Sequence, residues 1–350
     1  MKNKSLTFAG EVINPGTKKT ILISAPNINV QVKLKIPVHV FHGKSAGPKL
    51  FIVSALHGDE LNSIEILRRI HDSIHVNKLS GTLIMVPVVN IYGVIIQSRY
   101  LPDGRDLNRA FPGKGTGTLA SRLAYGITEN LISQCDYGID LHTGGLGRVN
   151  MPQLRVNLAT RGTKELARAF DVPVIIDSKV RDGSLREAAS ELGVPLLVYE
   201  GGEALRLNEI CIRAGVRGIK NVMHFIRMYP PYKTSAMNKS RSVITKTSRW
   251  VRSPVSGLVQ PVKDAISRSV KKGDLLAYVH DPFLINPSKK VIAPFDGVVI
   301  GVALKAMASE GDPLFHIASF KKLSGIVNSI NDFRDEMIDD DEEYLFIRPR

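Results

Sequence analysis

The residues best suited to chemistry in this sequence are two histidines and a glutamate. His57 and Glu60 stand three residues apart in Ser54-Ala-Leu-His57-Gly-Asp-Glu60, so one turn of chain aims an imidazole and a carboxylate at a common point. Both are good ligands for a borderline divalent ion such as zinc. Alone, the pair reads as readily as a satisfied surface pair. A second histidine, His142, follows in Tyr137-Gly-Ile-Asp-Leu-His142-Thr-Gly-Gly145. Two histidines and one carboxylate fill three positions of a tetrahedral zinc and leave the fourth open for water, as catalysis requires. Asp140, two residues before His142, shares its strand face and can orient the imidazole; a buried structural carboxylate is the alternative.

These residues stand where apolar runs stop. Leu50 to Leu56 reads as a buried strand that ends in a tight turn, and from Leu61 to His75 apolar residues recur at helical spacing. In an open α/β sheet, ligands bind at such strand ends. Thr82–Val89, with Pro87 inside it, reads as a second buried strand, and Val194–Tyr199 as a further one ending in Glu200-Gly-Gly202. Thr20–Ser24 and Val30–Val40 read as antiparallel edge strands. The stretch Ile95–Gly117 lacks periodicity, and an irregular segment that long is usually functional. It holds Arg99-Tyr100 and Asp106-Leu-Asn-Arg109-Ala-Phe-Pro-Gly113. Asn108 beside Arg109 can grip a carboxylate; a solvated polar loop is the plainer reading.

Taken in order, His57-Gly-Asp-Glu60, Arg99-Tyr100, Asp106-Leu-Asn-Arg109-Ala-Phe and Asp140-Leu-His142-Thr-Gly resemble the succinylglutamate desuccinylase/aspartoacylase family, zinc amidohydrolases related in fold to the zinc carboxypeptidases. The resemblance covers about residues 45–228. It implies an α/β fold with a mixed, mostly parallel sheet and helices on both faces. It implies one Zn2+ per chain on His57, Glu60 and His142, with Arg99 polarising the scissile carbonyl and Asn108 and Arg109 holding a substrate carboxylate. An insertion, Pro102-Asp-Gly, bears on the Arg99 assignment. The family places its catalytic glutamate at a strand end, which makes Glu200 the candidate base. Glu203, expected in the first turn of the next helix, and Glu187, in the helix Ser184–Leu192, compete with it. That next helix is expected to run from about Glu203 to Tyr229.

The C-terminal part contains a repeat. Pro254-Val-Ser-Gly257-Leu-Val returns as Pro294-Phe-Asp-Gly297-Val-Val, each copy followed by a glycine signal, Gly273-Asp274 and Gly311-Asp312. Such a duplication resembles the flattened all-β barrel of biotinyl and lipoyl domains. The hairpin His280–Lys290 lacks their modified-lysine setting, so a structural barrel is expected. The organisation that follows is a hydrolase domain over 1–230 with edge strands in 1–49, a connector over 231–249, a barrel over 250–320, and a C-terminal segment 321–350 with an acidic tail.

Composition narrows the class. The 350 residues are 43% hydrophobic and 23% charged, ordinary for a soluble globular protein. No apolar run reaches the roughly 20 residues of a membrane span, and Met1–Gly10 lacks a signal-peptide core. With only Cys135 and Cys211, a disulfide framework is not indicated and a reducing cytoplasm is the simplest home. The net charge is +14 although eight acids crowd into Asp332–Glu343. Lys and Arg are not interleaved with aromatics, which argues against nucleic acid and leaves small anionic substrates as the partners of a basic body. Homo-oligomerisation stays open. The expected activity is zinc-dependent hydrolysis of the amide of an N-acyl amino acid or similar small anionic amide. The alternatives are a zinc carboxypeptidase acting on peptides and a non-catalytic metal-binding or carrier-like module.

Overall fold

The computed structural model describes residues 2–27, 34–145, 147–231, 242–320 and 323–339. The first residues of the Val30–Val40 run, most of the connector and the tail beyond 339 lie outside them. In chain order the elements are a hairpin of β1 (Leu6–Phe8) and β2 (Glu11–Ile13), then β3 (Thr17–Ser24), β4 (Lys35–His42), β5 (Ser45–Ser54), α1 (Leu61–Ser73), β6 (Ser80–Val86), α2 (Ile91–Ile95), α3 (Leu119–Asn130), β7 (Tyr137–Gly144), β8 (Arg148–Val156), α4 (Thr163–Phe170), β9 (Val174–Asp177), α5 (Leu185–Glu191), β10 (Leu196–Glu203) and α6 (Glu209–Phe225). Pro87 falls just past β6 and ends it, as a residue without an N–H does.

Strands β6, β5, β7 and β10 are parallel neighbours and form the middle of a 13-stranded sheet. Their side chains alternate strictly. In β5, Leu50 and Ile52 face a core built with α1, α4 and α6, while Phe51 and Val53 face the core under α3 and α5. Strands buried on both faces must read as continuous apolar runs, which is why no amphipathic signal marks them.

The rest of the sheet departs from the expected mostly parallel form. β4 and β3 add antiparallel strands on one side, β8 on the other, and the C-terminal strands continue it beyond β8. β11 (Val243–Thr245) pairs with β9, and β12 (Ser248–Arg252) lies at the end of the path. Next come β13 (Gly257–Pro261), β14 (Ser269–Val270), β15 (Leu275–His280), β16 (Lys289–Ile292), β17 (Gly297–Ala303), β18 (Met307–Ala308) and β19 (Pro313–Ala318). The repeat accounts for their pairing: β16-β15-β13-β18 and β12-β19-β17-β14 have the same order, and each copy lends one short strand to the other. The two four-stranded layers share one apolar core. Among the described residues no ladder joins them into a closed barrel, and the second layer is part of the main sheet through β17 and β8.

Two helices differ from expectation. α6 begins at Glu209, where the Asn208 side chain accepts from the N–H of Cys211; the residues before it complete β10 and a turn. Glu203 is therefore a strand residue. α7 (Leu323–Asp339) occupies a segment read as the approach to an acidic tail. Ile326, Ile330, Phe333 and Met337 recur at helical spacing and are buried, so the acids between them mark only the solvent face. No helix among the described residues is long and apolar enough to cross a membrane.

Candidate active site

The register of the central strands brings the candidate residues together. Val53 pairs with Asp140, and Glu200 pairs with His142. Beyond Ser54 the chain turns through Ala55 at φ +50 towards His57. A Cβ on Gly58 would lie 1.9 Å from the carbonyl carbon of Gly93, so this close crossing of two backbones requires glycine. Gly145 is needed for another reason, since its Cβ would intrude 2.9 Å from Nη1 of Arg99 and 3.2 Å from Oε1 of Glu60.

His57 Nδ1 lies 2.8 Å from Glu60 Oε1, and His142 Nδ1 lies 2.8 Å from Glu60 Oε2. One donor atom from each residue falls within 4.8 Å of the others, and all three side chains are buried. The outer ring nitrogens are held by carboxylates: His57 Nε2 is 3.2 Å from Asp106 Oδ1, and His142 Nε2 is 2.8 Å from Asp140 Oδ2. Burial opposes charge on both rings. For His57, Glu60 and Asp106 outweigh it and raise the pKa; for His142, Asp140 and Glu60 raise it well above the usual value. Burial likewise opposes ionisation of Glu60, yet the two imidazoles hold its carboxyl far below the normal range. The site thus draws positive charge to a point between two Nδ1 atoms and a carboxylate. That donor set, with carboxylates on the outer nitrogens, fits zinc.

Arg99 faces the same space. Its Nη2 donates to Asp106 Oδ2 at 3.0 Å, and its Nη1 lies 3.2 Å from His57 Nδ1 and 3.4 Å from Glu60 Oε1. Asn108 accepts the N–H of Leu185 on its Oδ1, which leaves its NH2 for the cavity. Arg109 is exposed and donates to the carbonyl of Asn108. Glu200 receives the Asn150 side-chain NH2 on Oε2 at 2.9 Å, and Arg155 Nε lies 3.3 Å from its Oε1. Its two rivals turn elsewhere. Glu203 lies 3.6 Å from Arg206, and Glu187 accepts the N–H of Gly183 at the start of α5. All seven expected site residues line one cavity of about 420 Å³, and neither rival does.

Asp106, Arg148, Asn150, Arg155, Arg181 and Trp250 also line it, and sequence reasoning did not single them out for the site. Asn150 and Arg155 are five residues apart, an odd spacing that places them on opposite faces of a regular strand. A register shift between the Glu200 and Gly202 pairings of β8 removes that alternation. Trp250 comes from β12. Its ring stacks on His316 at 4.8 Å and 9°, with the Arg148 guanidinium 5.1 Å from its centroid. His316 is buried; burial, then the charges of Arg155, Arg148 and Arg181, push its pKa down to about 3.

Fold and site together define an α/β protein with a His-Glu-His centre at the ends of its parallel strands. Residues 46–226 match the succinylglutamate desuccinylase/aspartoacylase catalytic domain, and the chain belongs to that family. It is 26% identical over 305 residues to an N-alpha-acetyl-L-2,4-diaminobutyric acid deacetylase of Halomonas elongata, covering 81% of this chain and 85% of that one. The fold is shared with the product-bound ectoine utilization protein EutE (DoeB) of Ruegeria pomeroyi, at TM-score 0.80 and 23% identity over 91% of this chain and 100% of that one. A succinylglutamate desuccinylase/aspartoacylase of Rhodobacter sphaeroides superposes with a TM-score of 0.78 at 23% identity, over 86% and 95% of the two chains.

Proposed function

We propose that this protein is a zinc-dependent deacylase that hydrolyses the amide bond of an N-acyl amino acid or a similar small anionic amide. The observation that carries the reading is the convergence of His57, Glu60, His142, Arg99 and Glu200 on one cavity, in a member of the desuccinylase/aspartoacylase family. The relative named as a diaminobutyric acid deacetylase supports removal of an acyl group from an amino acid.

His57, Glu60 and His142 would hold the metal, with Asp106 and Asp140 fixing the rings. Zinc held there would act as a Lewis acid towards the acyl carbonyl and lower the pKa of water at the site. Glu200 takes the proton of the attacking water and delivers it to the leaving amine, and Asn150 fixes the direction of its carboxylate. Arg99, anchored by Asp106, stabilises the oxyanion, a contribution of about 10²–10³ in rate for a single donor in other enzymes. Asn108 and Arg109 hold the substrate carboxylate.

The strands over 250–320 act as a structural unit that contributes Trp250 as one wall of the cavity. Both cysteines are buried and unpaired, which supports a reducing compartment. Hydrolysis of N-acetyl, N-succinyl and N-formyl amino acids, measured with zinc content alongside, tests the reading. Turnover in proportion to bound zinc is expected; zinc-loaded protein inert on the whole panel overturns it.

A further inference from the structure

The candidate base stands where β10 is least held by its own sequence. Glu200 is followed by Gly201 and Gly202, whose backbone is the most permissive a chain can have. The ladders do not secure this end either. On one side β10 pairs Glu200 with His142 and next Glu203 with Gly144; on the other it pairs Glu200 with Gln153 and next Gly202 with Asn150. Gly201 stands opposite no residue in either register. A residue left over at such an irregularity loses its ladder partners, and its buried polar groups must find others.

The Gly201 carbonyl finds Asn62. This residue lies two positions after Glu60, in the first turn of α1, and is 1% exposed. Its Nδ2 donates to the Gly201 carbonyl at 3.2 Å, and its Oδ1 accepts the N–H of Asn208 at 2.9 Å, just before α6. The approach is close. Gly202 has φ +83, and a Cβ there would lie 2.1 Å from Asn62 Nδ2. Beside it, a Cβ on Gly201 would lie 2.6 Å from Oη of Tyr199, which donates to the Cys211 carbonyl at 2.6 Å.

What matters is what this amide connects. One end belongs to the helix that follows Glu60, the other to the peptide that follows Glu200, 139 positions away. Asn150 and Arg155 aim the Glu200 carboxylate, but they come from β8 and do not tie β10 to α1. A general base must stay within hydrogen-bond reach of the proton it takes, and a misplacement of about 1 Å can cost about 10² in rate. Asn62 does not line the cavity, so it acts only through the backbone that it holds.

We propose that Asn62 is the positioning residue of the base: it clamps the end of β10 to α1 and so sets the distance between Glu200 and the metal site. The inference rests on the deacylase reading and deepens it.

Two variants test it. Asn62→Ala removes both hydrogen bonds; Asn62→Ser keeps a polar group in the first turn but falls short of Gly201, and carries the test alone if Asn62→Ala does not fold. Both should bind zinc fully by metal analysis. On the best substrate of the N-acetyl, N-succinyl and N-formyl amino-acid panel, kcat per zinc-loaded molecule should fall about ten- to a hundredfold with KM changed less than about twofold. A lower melting temperature with unchanged kcat would make Asn62 structural only and overturn the proposal. In a Glu200→Gln background either substitution should cost less than about threefold, because both changes act through one carboxylate. Equal losses in the two backgrounds also overturn it.

Hydrogen exchange supplies a readout without turnover. In zinc-loaded Asn62→Ser the amides of Gly201–Glu203 should exchange at least about tenfold faster than in wild type, while those of α3 stay unchanged. If zinc-loaded wild type hydrolyses nothing on the panel, the deacylase reading falls; faster exchange at β10 then keeps Asn62 as the clamp on Glu200, and unchanged exchange overturns it. If wild type is active and the losses multiply, the deacylase reading stands and the positioning role falls.

Discussion

The inner and outer ends of the cavity handle charge in opposite ways. At the inner end every ionisable group has a partner within the fold: both imidazoles, Glu60, Asp106, Asp140 and Arg99 form one connected set of contacts at 2.8–3.4 Å. Towards the outer end stand Arg148, against Trp250, and Arg181, on an exposed loop, with no carboxylate within ion-pair distance among the described residues. The inner end is organised before any substrate arrives, which is what fast chemistry requires. The outer end is incomplete without a ligand, and its unanswered charge is what a ligand can be selected by. Substitutions at the inner end should therefore harm every substrate alike, and those at the outer end should harm substrates according to their charge.

The largest effect should come from the metal ligands. His57→Ala or His142→Ala should remove bound zinc and abolish turnover on every substrate, monitored by metal analysis of purified protein. Full zinc retention by both variants would end the assignment. Next comes Glu200→Gln, which keeps size and hydrogen bonding but cannot accept a proton. It should retain zinc and lose about 10²–10⁴ in kcat by the same factor on singly and doubly charged substrates. Near-normal turnover would turn attention to Glu203 in spite of its direction.

A smaller, charge-selective effect is expected at Arg109. Arg109→Ala should lower kcat/KM by roughly ten- to a hundredfold, the scale of a hydrogen bond to a charged group. Converting the substrate carboxylate to a methyl ester should cost the wild type a similar factor, yet hardly change the variant, since both remove one contact. Losses that multiply would mean Arg109 does not touch the carboxylate. Arg109→Lys, which keeps the charge without the fork, should still be impaired.

The smallest effect lies behind Trp250. The His316 pKa is pushed below its ordinary value, so as pH falls the unfolded chain takes up the proton first. Stability should be complete above about pH 6.5 and decline from there towards pH 3, at no more than about 1.4 kcal/mol per pH unit from this residue. His316→Gln should flatten that slope between pH 6.5 and 5, measured by denaturant unfolding of both proteins at matched zinc. An unchanged slope would show that the ring is not held neutral.

Much of the inner end was legible from sequence because its residues follow strand ends directly: His57 and Glu60 after β5, His142 near the end of β7, Glu200 near the end of β10. Short apolar runs that stop at a histidine or a glutamate are local signals. The outer end depends on long-range geometry. Asn150 and Arg155 share the cavity through a register irregularity that leaves no trace in residue type, and Trp250 arrives from a strand far along the chain. Asp106 stood inside a recognised motif, yet its hold on both His57 and Arg99 needs the folded loop to be seen. The same limit explains the sheet. Pairing of β17 with β8 joins parts of the chain that composition separates, so a mostly parallel sheet beside an independent barrel was the natural expectation.

That pairing also sets an order of events during synthesis. The outer edge of β8 is covered over residues 153–156 by β9, but over residues 148–150 it waits for β17. The Gln153 side chain donates to the carbonyl of Ile300, a partner 147 positions later in the chain. A nascent chain that has already made all its metal ligands thus still exposes a strand edge and lacks the tryptophan wall. Contacts this distant form late and slowly. The half-made protein must keep that edge from pairing with a neighbour on the same messenger, and a truncation ending before β17 would fix the molecule in this vulnerable state.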